Sequence, residues 1–437
     1  MNSLGFVRWW LPVWCLFLAW GVAAAQEFER EPIEYSKRQP SNRVAQLIAD
    51  LKAHKAELKF DEKFGYLPAV LEALQVPKSS QMLVFSKTSL QRQHIAPRTP
   101  RAIYFSDDVY LGYCHNGEVL EISAVDPDLG AVFYTLDQES PTQPRLTRQT
   151  DNCLICHGSS STRSVPGHVV RSVYSDAVGL PILASGSYRT DHTSPFEQRW
   201  GGWYVTGTHG EQKHLGNLII RGRERPEAVD NVAGQNVESL ERLFQTENYL
   251  TPHSDIVALM VLEHQAMTHN AITHANFTTL QALHFDRALS KDLGEESTEL
   301  RDSTKSRIRS GCEPLVECLL FCEEAPLTAK VTGTSDFAEE FTRRGPADTE
   351  GRSLREFDLT RRMFKYPCSY LVHSPCVQKL PAEAKAYVYR RLDEVLSGKD
   401  QDKKFQHLSA EDRAATREIL LETLPGFARE GEAPAEP

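Results

Sequence analysis

The sequence predicts an α+β protein in which a β-rich N-terminal half precedes a mainly helical C-terminal half. Two observations carry this expectation. Between residues 81 and 221, short β-branched and aromatic runs alternate with turn-forming pieces such as "HNGE" and "DPDLG", the pattern of a β-meander. From about residue 236 onward the apolar spacing becomes helical, most clearly in "SDIVALMVLEHQAMTHNAITHANFTTLQALHF" at 254–285.

In chain order, residues 1–25 read as a secretory signal peptide. Arg8 and the free amine are its positive end, 9–22 its apolar core, and Ala23, Ala24 and Ala25 the small residues of a cleavage site. No other long apolar run follows, so no membrane span is expected after cleavage. The β-rich region is expected over 26–230. It opens on a short amphipathic helix at 43–57, and strands follow at 81–85, 101–105, 108–114, 118–126 and 131–136. Further strand-like runs lie at 168–174, 181–188, 201–208 and 214–221. The helical region spans 231–428, with helices expected at 237–246, 254–285, 312–324, 357–365, 382–397 and 409–423. The polar stretch 286–311 reads as a surface crossing or a helix with a mobile approach, and the tail 429–437 as disordered.

Composition is that of a globular protein, with 41% hydrophobic and 25% charged residues. A formal net charge of −10 argues against nucleic acid as a partner, which would favour a basic face. It suits docking to a basic redox partner.

The chemistry concentrates in "TDNCLICHGSS" at 150–160, where Cys153, Cys156 and His157 stand as Cys-x-x-Cys-His. A redox dithiol needs only the two cysteines, and a zinc knuckle needs a second ligand pair that does not follow at the required spacing. Covalent haem c attachment needs all three residues: two thiols for the vinyl groups and an imidazole beneath the iron. The β-rich half is thereby expected to be the haem-bearing one, in the periplasm or secreted. A small cytochrome c is all-helical, so the β-rich setting departs from that pattern. The other cysteines of the mature chain, Cys114, Cys312, Cys318, Cys322, Cys368 and Cys376, allow three disulfides in an oxidising compartment; buried thiols with one bridge or none are the alternative.

The second axial position is open to several residues. Met260, His264, Met267 and His274 share one face of the long helix, and Met267 and His264 are taken as the candidates, against the plainer role of core packing. His168, His192, His209 and Met363 are weaker rivals. The segment at 190–214 gathers Asp191, His192, Arg199, Trp200, Trp203, Tyr204, His209 and His214, fit either to wall a porphyrin or simply to pack. The basic run at 92–101 is a solvated loop or a propionate contact.

Carried by these residues, the chain resembles c-type cytochromes in the broad sense. It also resembles a set of large, uncharacterised, single-haem secreted bacterial proteins containing a cytochrome c domain. The resemblance rests on "LVFSKTSLQ" at 83–91, "LEISAVDPDLGAVFYTLDQ" at 120–138, "CLICHG" at 153–158, "WGGWYVTGTHG" at 200–210, "LEHQAMTHN" at 262–270 and "FKYPCSYL" at 364–371. It implies one covalent haem c outside the cytoplasm, with Cys153, Cys156 and His157 in the attachment roles, and no particular substrate. The functional expectation is a mono-haem one-electron carrier serving a redox partner protein. The alternatives are a peroxidase-like haem enzyme with a displaceable distal site and a haem-based ligand or redox sensor.

Overall fold

Seven antiparallel strands form the main sheet of the N-terminal half, and helices dominate the C-terminal half, the α+β arrangement expected. The structure is a computed structural model that describes residues 27–222, 225–295 and 299–427. The expected signal segment 1–25 and the tail 429–437 lie outside the described residues.

The strands are β1 (Met82–Val84), β2 (Arg101–Phe105), β3 (Val109–Tyr113), β4 (Val119–Asp126), β5 (Gly130–Asp137), β6 (Leu146–Gln149), β7 (Arg171–Val173), β8 (Ser187–Arg189) and β9 (Trp203–Tyr204). The sheet order is β6-β5-β4-β3-β2-β1-β9, while β7 and β8 pair separately. The longest ladder, β4–β5, closes through the expected "DPDLG" turn. There the Asp126 carboxylate accepts from the amides of Asp128 and Leu129, and Gly130 takes a φ of +69° that a side chain would strain.

Both faces of this sheet are covered. Met82 and Val84 point into one core with the C-terminal helices, while Leu83 and Phe85 point into the other with the N-terminal helices. That double burial explains why β3 is apolar along its whole length instead of alternating.

The helices are α1 (Arg43–Lys52), α2 (Leu67–Ala73), α3 (Asn152–His157), α4 (Ile256–Leu293), α5 (Asp302–Leu319), α6 (Phe337–Thr342), α7 (Pro375–Gln378), α8 (Ala382–Leu396) and α9 (Ala410–Thr423). At 38 residues, α4 is about 57 Å long at 1.5 Å per residue. Its Asp255 N-cap accepts from the amides of Val257 and Ala258 and ties the start of the helix to Thr334 and Ser335. No helix among the described residues is long and apolar enough to cross a membrane.

Of the two forms expected of residues 286–311, helix is the one found: α4 runs on to Leu293 and α5 begins at Asp302. Their polar residues join the two helices, with Thr304 and Arg301 both bonded to Asp286. Residues 237–246 are not a helix. Leu240 and Phe244, four apart like helical neighbours, fill the sheet core from irregular chain, where Phe244 stacks on Tyr204. Residues 357–365 form a turn closed by a Phe357–Phe364 bridge and ring stack. The run 214–221 makes a single bridge to Asp176 in place of a strand. All eight described cysteines are unbonded, so the structure contains no disulfide among them.

Candidate functional site

Cys153, Cys156 and His157 lie on the single short helix α3, at one wall of a cavity of about 420 Å³. That volume is within the range of small-molecule and cofactor pockets. Ile103, Leu111, Ile122 and Phe133 of the sheet line it, and Val170, Trp203, Leu262 and Ala266 complete the apolar walls. Both thiols of the motif are free; Cys153 is half-buried and Cys156 exposed.

The imidazole of His157 is oriented by its backbone surroundings. Nδ1 sits 2.9 Å from the Gly167 carbonyl oxygen, to which it donates, leaving Nε2 without a hydrogen-bond partner among the described residues. The ring packs 4.9 Å from Phe133, and burial lowers its pKa, keeping it neutral. A neutral ring with one nitrogen tied to a carbonyl and the other free is the state a metal-ligating histidine requires.

Gly167 itself is held by α4. The Asn270 side chain accepts from the His168 amide at 2.9 Å and donates to the His168 carbonyl at 2.7 Å, as a neighbouring strand would. A Cβ on residue 167 would fall 2.1 Å from Asn270 Oδ1, so glycine is what lets this loop approach the helix. Asn270→Ala should therefore destabilise the protein by about 1–3 kcal/mol, the cost of stranding two buried backbone groups. Thermal denaturation of the purified variant checks this.

Other polar groups on the cavity are satisfied only in part. Arg101 Nη2 bonds Glu121 at 2.5 Å, so the basic run at 92–101 reaches the cavity through this residue, already paired. Tyr110 Oη bonds His269 Nδ1 at 2.8 Å and accepts from Gln265. His168 is buried with Nε2 bonded to Ser123 Oγ at 2.8 Å, while its Nδ1 has no partner.

The two helix residues expected near the iron stand elsewhere. Neither Met267 nor His264 lines this cavity. Met267 is half-buried beside a void of about 40 Å³ that shares His168, Val170 and Ala266 with it. His264 lies about 200° around α4 from Leu262 at 100° per residue. Its Nδ1 is 3.0 Å from His192 Nδ1 and its Nε2 2.7 Å from Ser369 Oγ. Among the described residues, no methionine lines the cavity, and His168 is the one imidazole on it besides His157.

The cluster at 190–214 separates into three parts. Trp203 reaches the cavity. His209 and His214 pack on each other and on Phe196, 4.7 Å apart, with burial pushing His214 down to about 3. Arg199 is buried against Glu263 at 3.2 Å and donates to the carbonyls of Ser194 and His192. Of the cavity residues, His168 is among the weaker axial rivals, while sequence spacing did not reveal Tyr110 and Phe133, because no motif links strands that meet only across a sheet.

Comparison with family models, with curated proteins and with solved structures returns no match. The reading of the site rests on its own geometry.

Proposed function

We propose that the chain is an extracytoplasmic mono-haem c protein performing one-electron chemistry with a protein redox partner. The observation that carries this is the placement of Cys-x-x-Cys-His at the wall of an apolar cavity, with both thiols free and His157 oriented by Gly167. These residues fit the group. Cys153 and Cys156 would hold it covalently and His157 would be its proximal ligand; bound haem c supplies a one-electron couple tuned by ligation and burial.

The chain's own contribution is positional. Gly167 fixes the tautomer and direction of His157. Phe133, Trp203 and Leu262 exclude water from the walls. The exposed side chains of Ile155 and Cys156 leave α3 open to solvent, where a partner protein can approach. The formal charge of −10 favours a basic partner.

A second reading, a haem enzyme or ligand sensor, is favoured by a cavity lining that holds no methionine among the described residues. Absorption spectra of protein matured with haem c, taken with and without cyanide, separate the two. A low-spin spectrum indifferent to cyanide is expected of the carrier, with His168 then the group to mutate. A high-spin spectrum that shifts with cyanide selects the second reading, and protein without covalent pigment overturns both.

A further inference from the structure

On the other side of α4 from the cavity, three side chains with metal-binding atoms converge in the dry interior. His192, His264 and Cys318 are 0%, 0% and 2% exposed, and one donor atom of each lies within 4.8 Å of the others. They come from three separate parts of the chain: the loop after β8, α4 and α5.

Their hydrogen bonding is incomplete. In the 3.0 Å contact between the two Nδ1 atoms, one neutral ring donates and the other accepts. His264 completes its set through Ser369, whereas His192 Nε2 is buried without a partner of good geometry. An unpaired polar nitrogen in such a place is a cost to the fold unless something else engages the ring.

We propose that His192, His264 and Cys318 form a binding site for one thiophilic closed-shell metal ion, Cu(I) or Zn(II). Imidazole and thiolate are the donors both ions select. Two nitrogens 3.0 Å apart are spaced as neighbouring ligands of one ion, with metal–nitrogen bonds of about 2.0–2.1 Å. Binding forms two metal–nitrogen bonds and one metal–sulfur bond: the proton His192 Nδ1 gives to the His264 contact moves to His192 Nε2, the Cys318 S–H proton leaves to solvent, and no oxidation state changes. Two neutral rings and one thiolate carry a single negative charge, which Cu(I) neutralises and Zn(II) exceeds by one. In surroundings walled by Phe321, stacked 4.1 Å from His264, the neutral assembly is the less costly one.

Outer partners suited to this role are present. Ser369 Oγ can accept from His264 Nε2–H, fixing the tautomer that leaves Nδ1 free. Thr268 Oγ1 donates to the His264 carbonyl at 2.8 Å and lies 3.2 Å from Cys318 Sγ, so a turn of its hydroxyl would let it donate to a thiolate. Arg199 holds the His192 backbone through its carbonyl.

The site is independent of the haem reading, and its test removes the Cys-x-x-Cys-His thiols as competing ligands. Full mature chain carrying Cys153→Ser and Cys156→Ser is loaded anaerobically with Cu(I) or with Zn(II), freed of loose metal by gel filtration and assayed for metal per chain. One bound equivalent of either ion is expected, absent after Cys318→Ser or His192→Gln. For zinc, X-ray absorption should show one sulfur at about 2.3 Å. Thr268→Val keeps all three ligands and should weaken binding by about 10–100-fold, as loss of an outer partner does. Circular dichroism of the metal-free variants establishes that they fold. Failure to retain either ion, or retention undiminished by Cys318→Ser in a folded chain, overturns the site.

Discussion

Protein in which serine replaces both Cys153 and Cys156 is expected to lose covalent pigment entirely, from one equivalent per chain to none after denaturing extraction. Thioether bonds are what survive unfolding, and serine cannot form them. His157→Ala is expected to behave differently, keeping the thioether attachment in a fraction of chains but changing the spectrum, because the imidazole above the Gly167 carbonyl is gone. The difference separates attachment from ligation. Mass spectrometry of the denatured protein, beside its absorption spectrum, checks both. A double-serine protein retaining covalent pigment would show that Cys153 and Cys156 are not the attachment points.

The strands around this site were legible because a buried strand is a short apolar run between turn residues, and β2 to β5 fall within one or two residues of their expected spans. The "DPDLG" turn carries its own chemistry in Asp126 and Gly130. Legibility failed where tertiary packing imitated a local period. Leu240 and Phe244 have helical spacing but occupy a sheet core, and the polar run at 286–311 hides the ends of two helices because Asp286, Arg301 and Thr304, which join them there, are polar. Of the site, Cys153, Cys156 and His157 were visible as a local motif, and His168 as one of several axial rivals. The rest of the far wall was not, since Tyr110 and Phe133 meet only after the sheet has formed. The stripe on α4 that joins Met260, His264, Met267 and His274 is a sound periodicity, but among the described residues it is Leu262 and Ala266 of this helix that line the cavity beside α3.

Arg199→Leu is expected to give the largest stability loss of any single substitution here, and one that depends on pH. Arg199 and Glu263 are 2% and 0% exposed, and removing one member of a buried pair typically costs about 3–5 kcal/mol because the other charge is left alone. Burial raises Glu263 from 4.5 to about 7 against the opposing pull of Arg199. A carboxyl whose folded value lies above its unfolded one favours folding fully at pH below the unfolded value. That contribution is lost as pH rises towards the folded value. Without Arg199 the folded value climbs further, so the penalty should grow as pH rises past about 7 and be larger at pH 8 than at pH 5. At pH 5 the carboxyl is neutral, and the penalty should shrink to the lost bonds with Ser194 and His192, about 1–3 kcal/mol. Denaturant unfolding of the variant and the parent at both pH values measures this. Adding Glu263→Gln to Arg199→Leu should remove most of the pH dependence; if the single variant is equally destabilised at pH 5 and pH 8, the Glu263 charge is not its source.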